Sequence, residues 1–164
     1  MGNNSFLAVG AMALLALVSL RFNTTVLENK TTEVENKVYL TAFSLADDLI
    51  EEIKQKAFDE QTVEWRAIPE DQLTPVDAFG PVDPGENSVS DFDDIDDYNN
   101  YTKNISLPHV ENYTVTSNVE YVTPSNPDIT SSVQTYFKKI TIRVTSPYLS
   151  HPVRLSFVFT LHSK

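Results

Sequence analysis

The chain contains no cysteine. Disulfides, thiolate metal sites and cysteine nucleophiles are therefore excluded. Only four glycines occur, and no phosphate-cradling glycine loop or dinucleotide fingerprint is among them. Three histidines, His109, His151 and His162, are scattered without metal-ligand spacing, and no Ser/His/Asp motif accompanies them. Basic residues are also scarce, 12 against 23 acidic ones, for a net charge of -11. That balance argues against nucleic acid and against anionic membrane surfaces, both of which need Lys/Arg patches. No constellation here carries a reaction, so the expectation is a protein that is not an enzyme.

What is present is an ordered succession of segments. Residues 6–20, FLAVGAMALLALVSL, are apolar without a charge. These 15 residues would rise about 22 Å as a helix, short of the roughly 30 Å of a bilayer core. The flanks lack the marks of a signal peptide: no Lys or Arg precedes the run, and no A-x-A follows it. The favoured reading is an uncleaved anchor or filament-core helix carried by Phe6, Leu7, Val9, Gly10, Leu14, Leu17 and Val18. A signal peptide and a buried soluble helix are the alternatives. Residues 21–32 are polar, and a helix either runs through them or breaks there. Val34, Val38, Ala42, Leu45, Leu49 and Ile53 then recur in steps of three and four, one face of an α-helix ending near Ala57 and Phe58. Asp47, Asp48, Glu51, Glu52, Lys54 and Lys56 lie mostly on the opposite face, with Glu52 and Lys56 spaced for an i,i+4 ion pair. A continuous helix from Phe6 would be about 78 Å long, more than a head of this size can bury.

Residues 59–90 contain Pro69, Pro75, Pro81 and Pro84 with Gly80 and Gly85, an extended loop with turns such as Asp83-Pro-Gly-Glu86. Trp65 sits on a short strand or packs this loop on the helix. The last third reads as strands: Tyr113, Val115, Val119 and Tyr121 share one parity around Ser117, FKKITIRV (137–144) is β-branched and alternating, and Val153, Leu155, Phe157, Phe159 and Leu161 alternate again. Turns fall at Pro124-Ser-Asn-Pro127 and between Pro147 and Pro152. The expected fold is α+β, a long N-terminal helix packed on a C-terminal antiparallel sheet of three or four strands. Its segments are a hydrophobic helix over 1–25, an amphipathic helix over 26–58, a loop-rich acidic region over 59–111 and the sheet over 112–164.

Two segments carry a resemblance. LADDLIEEIKQKAFDE (45–60) resembles the end of the long helix of type IV pilin-like proteins. FDDIDDYNNY (92–101) is similar to an FDD-x-DDYNGY element of minor pilins of the mannose-sensitive haemagglutinin pilus type, and the strand pattern that follows is similar too. The resemblance, which extends to type II secretion pseudopilins, covers roughly residues 42–161. It implies a structural subunit held in the inner membrane by its apolar helix and then assembled, helix against helix, with copies of itself and other pilin-like subunits into an extracellular filament. Small residues such as Ala8, Gly10, Ala11 and Ala13 would govern that association. The N-terminus departs from the family: Gly2 is followed by Asn-Asn-Ser-Phe-Leu where a prepilin has Phe-Thr-Leu-Ile-Glu, and no basic leader precedes it. The missing Glu would neutralise a neighbour's N-terminal amine in an apolar core, where an unpaired charge is costly.

Two candidate sites remain. Asp91, Asp93, Asp94, Asp96 and Asp97 fall within seven residues and offer hard oxygen ligands suited to Ca²⁺. The spacing is not an EF-hand, and the competing reading is a solvated acidic loop whose aspartates cap turns. N-x-[ST] occurs at Asn3, Asn23, Asn29, Asn100, Asn104 and Asn112. Asn3 lies beside the apolar helix, Asn104 and Asn112 in loop-like surroundings; in a glycosylating host the last five would shield an extracellular surface. Besides the filament subunit, three functions stay open: a minor pseudopilin-like component of a secretion or pilus assembly complex, a membrane-tethered, Ca²⁺-dependent binding module and, weakest, a hydrolase using paired carboxylates, for which no pocket signal is present.

Overall fold

The structure, a computed structural model, describes residues 2–64, 68–81, 88–107 and 110–161. Trp65, the Asp83–Glu86 turn, His109 and His162 lie outside them. The chain divides into two units, residues 1–38 and 39–164.

Helix α1 runs Gly2–Ile53, 52 residues without interruption. The polar stretch 21–32 does not break it. Thr24, Thr25, Thr31 and Thr32 each return their hydroxyl to a carbonyl three or four residues back, so they compete little with the helical backbone. The helix ends four residues earlier than periodicity suggests. From Gln55 the hydrogen bonds tighten to i→i−3, and Ala57 leaves to form a parallel bridge with Asp94. The Glu52–Lys56 pair does not form. Glu52 accepts the Tyr98 hydroxyl at 2.8 Å, and the Lys56 ammonium donates to the Phe92 carbonyl. The ion pair on this turn is Lys54–Glu51. Asp59 then caps the short helix α2, Glu60–Glu64, by accepting the Gln61 N–H. Two 3₁₀ turns, Glu70–Gln72 and Val76–Ala78, each entered by a proline, occupy the segment read as loop.

The sheet has five antiparallel strands: β1 Thr102–Leu107, β2 Val110–Thr123, β3 Asn126–Thr130, β4 Phe137–Thr145 and β5 Val153–Thr160. Its order is β1-β2-β4-β5, with β3 paired to the end of β2. Strands β1 and β3 are additions to the three read from alternation. Neither buries a side-chain face, so neither leaves an apolar signature. Asn104 and Asn112 consequently stand in strands, not loops; Asn112 has φ 71°.

Alternation in the long strands is as the sequence indicates. Tyr113, Val115, Ser117, Val119 and Tyr121 of β2 face inward, as do Lys138, Ile140, Ile142 and Val144 of β4. Within the second unit α1 meets them with Ala42, Ala46, Leu49, Ile50 and Ile53. Thr41 hydrogen-bonds Tyr113, and the Lys54 ammonium lies 4.4 Å from the Phe157 ring. Val34 is exposed and Leu45 only half-buried, while Ala46 and Ile50 take core places. The buried stripe thus keeps Ala42, Leu49 and Ile53 and widens by one residue to take in Ala46 and Ile50.

Candidate functional site

Lys138 is the residue that organises the head's interior. FKKITIRV places two lysines side by side in an alternating strand, so one must face the core. The register puts Lys138 inside with Ile140 and Ile142, and its ammonium is wholly buried. Nζ donates to the Phe58 carbonyl at 2.8 Å and to Asp59 Oδ2 at 2.7 Å, and it lies 2.6 Å and 2.8 Å from the two carboxylate oxygens of Asp96. Three aromatic rings surround it, Phe58 at 4.6 Å, Tyr121 at 5.2 Å and Phe79 at 5.3 Å. A buried ion of this kind is tolerable only with its hydrogen-bonding capacity filled.

The two carboxylates differ. Asp59 accepts the N–H of Thr74 and of Gln61 and the Tyr121 hydroxyl. Burial raises its pKa, but the Lys138 charge and these hydrogen bonds outweigh burial and hold it below the ordinary carboxylate range. Asp96 has fewer donors. Burial raises it to about 7 against the opposing Lys138 charge, with Asp59 and Asp97 adding repulsion. Beside them Asp94 is pushed to about 8, first by burial and then by Asp96.

The five aspartates offered as calcium ligands are not brought together as one ligand set. Asp94 Oδ1 accepts the N–H groups of Asp96 and Asp97, and Asp97 Oδ2 accepts those of Asp93 and Asp94. Asp96 turns inward to Lys138. Asp93 is exposed, and Asp91 caps Ser88 at the surface. Among the described residues no group of three or more His, Asp or Glu could hold a metal ion. Other hydrogen bonds hold residues 92–101 on the sheet: Ser117 donates to the Tyr98 carbonyl at 2.6 Å, and Asn99 Oδ1 accepts the Val119 N–H. Tyr98 is edge-on to Phe92 and Tyr101.

Two other surfaces stand apart. A polar groove of about 480 Å³ lies along Tyr101, Ser117, Glu120, Arg143 and Arg154, where Arg143 and Arg154 are directly opposed across β4 and β5. In the first unit every assembly residue proposed from sequence is exposed, Phe6 by 79% and Leu14 by 65%. An 18-residue window of α1 is apolar enough to cross a membrane, and none of it is buried. Asn23, Asn29, Asn100, Asn104 and Asn112 are exposed as well; His151 is exposed too.

No protein-family model matches the chain, and no curated protein or solved structure matches it. Sequence reasoning missed Lys138, Asp59 and Tyr121. Parity in β4 was the available signal for Lys138. Asp59 and Tyr121 carried none, because their pairing spans 62 residues of chain.

Proposed function

We propose that this chain is a structural subunit that stays membrane-anchored through the apolar part of α1 before assembly. It then packs that helix against copies of itself in a pilin-like filament outside the cell. The observation that carries this reading is the bare apolar helix. Phe6, Leu7, Leu14, Leu15, Leu17 and Val18 are all exposed, and each would gain about 1.5–3 kcal/mol on burial. Lipid and neighbouring helices are equally apolar, so transfer between them costs little, and close approach at Gly10 favours the helices. The head supports the reading by its architecture, a helix on an antiparallel sheet with no catalytic constellation evident in the sequence. Within the second unit Tyr39, Leu40 and Phe43 are exposed as well.

Electron microscopy of sheared cell-surface material, with the N-terminal mass of this chain measured in it, tests the proposal. Filaments rich in the chain are expected, and a trace stoichiometry would assign it instead as a minor, pseudopilin-like component. Leu14→Lys should abolish filaments, since a charge at the centre of an apolar helix costs about 3 kcal/mol. Filaments that persist with that substitution, or a chain found only as a membrane monomer, would overturn the filament reading.

A further inference from the structure

The geometry points to an intramolecular amide bond between Lys138 Nζ and Asp96 Cγ, formed autocatalytically in the folded head with Asp59 as the proton acceptor. This inference is independent of the filament reading. It starts from the way Lys138 meets Asp96. Here Nζ lies 2.6 Å from Asp96 Oδ1 and 2.8 Å from Oδ2, and Oδ1 makes no hydrogen bond despite its closeness. A nitrogen that near both oxygens of one carboxyl group is no more than about 3 Å from the carbon between them, so bond formation needs a turn of the carboxyl plane and no further approach. Asp59 meets the same nitrogen through Oδ2, and Thr74 and Gln61 hold its other oxygen.

The surroundings suit the reaction. Lys138, Asp59 and Asp96 are almost wholly shielded from water, with the rings of Phe58, Phe79 and Tyr121 around the nitrogen. In water, ammonium and carboxylate are far more stable than amide, because each ion is solvated. Burial removes that solvation. Condensation replaces two buried ions with a neutral amide and expels one water. The carboxyl groups divide the roles as paired groups with opposed environments do. Asp59, held ionised, takes one proton from the ammonium. The amine lone pair then forms the N–C bond at Asp96, whose raised pKa supplies the acid form. The acid's hydroxyl leaves with a second proton from nitrogen as water. The third proton stays on the amide nitrogen, whose N–H donates to the Phe58 carbonyl as the ammonium did, and Asp59 ends protonated. Charge and atoms balance without a further reactant. The product ties the 92–101 element to β4 across 42 residues of sequence.

Peptide mapping by mass spectrometry of the full chain, purified in detergent and denatured before digestion, tests this. The expected result is a branched peptide joining the Asp96 and Lys138 fragments, lighter than their sum by one water, with trypsin no longer cutting after Lys138. In Asp96→Ala the two fragments should be separate. Asp59→Asn retains a hydrogen-bond acceptor but no base, and should slow bond formation by about a hundredfold, the usual contribution of a positioned proton acceptor. Linear fragments from wild-type protein whose circular dichroism reports a folded head would overturn the proposal and leave an ion pair. So would a branch from Lys138 to Asp59, or a cross-link that survives in Asp96→Ala.

Discussion

Lys138 and its carboxylates set the chemistry of the head one residue at a time. In protein without the Lys138–Asp96 bond the cation compensates Asp59 and Asp96, so against that state Lys138→Met should lower stability by about 3–5 kcal/mol, read as a fall in the urea midpoint. Adding Asp59→Asn and Asp96→Asn should restore most of that loss. Asp94 gives a separate handle. Its folded pKa of about 8 stands above its unfolded value, so the folded state binds the extra proton. The stabilisation is fully present below the unfolded pKa and is lost as pH rises through about 8. Asp96 and Asp97 oppose its ionisation and Lys138 favours it. Asp94→Asn keeps an oxygen for the Asp96 and Asp97 N–H groups and cannot titrate. Its melting temperature should exceed wild type by a few degrees at pH 8, with a smaller gain at pH 5 and none at pH 3. Legibility at this scale was partial. The aspartates were visible as a cluster, but a run of five like charges reads the same whether its oxygens meet solvent, metal or backbone N–H groups.

At the scale of elements, alternation was readable wherever one face of a strand is buried. Strands β2, β4 and β5 announced themselves through Tyr113, Val115, Ile140, Ile142 and Val153. The consequence is testable: Ile142→Ala should cost about 2–5 kcal/mol, whereas Thr141→Ala, on the outer face, should cost well under 1 kcal/mol, both by denaturant titration. Strands β1 and β3 were silent. Thr102, Asn104 and Ser106 are polar and Ile129 is exposed, so pairing rests on backbone hydrogen bonds to β2 that composition does not record. The end of α1 was silent for a similar reason. Nothing local stops the helix at Ile53; Ala57 stops it by exchanging hydrogen bonds with Asp93 and Ile95, nearly forty residues on in sequence. Glu52 and Lys56 likewise abandon a local pair for partners in the 92–101 element, where burial makes each hydrogen bond worth more than an exposed i,i+4 ion pair.

For the whole molecule, the division into units at Val38 separates two kinds of stability. The apolar helix contributes exposed surface, and the head contributes the core. A chain beginning at Glu33 should therefore remain soluble without detergent and melt within about 2 °C of the full chain in detergent, a change of less than 1 kcal/mol. A larger drop would mean that residues before Glu33 help hold the head together. The sequence by itself determined the succession of segments, the α+β class, the apolar run and the inward faces of β2 and β4, because all of these follow from periodicities of 3.6 and 2 acting over neighbours; in β5 only Val153 is buried and Phe157 is exposed. The tertiary structure alone decided that Asp59, Asp96 and Lys138 share one dry pocket and that the acidic run folds back on its own backbone. It did so because a buried charge takes whatever partner the packed chain brings within 3 Å, and neither spacing nor composition encodes that distance.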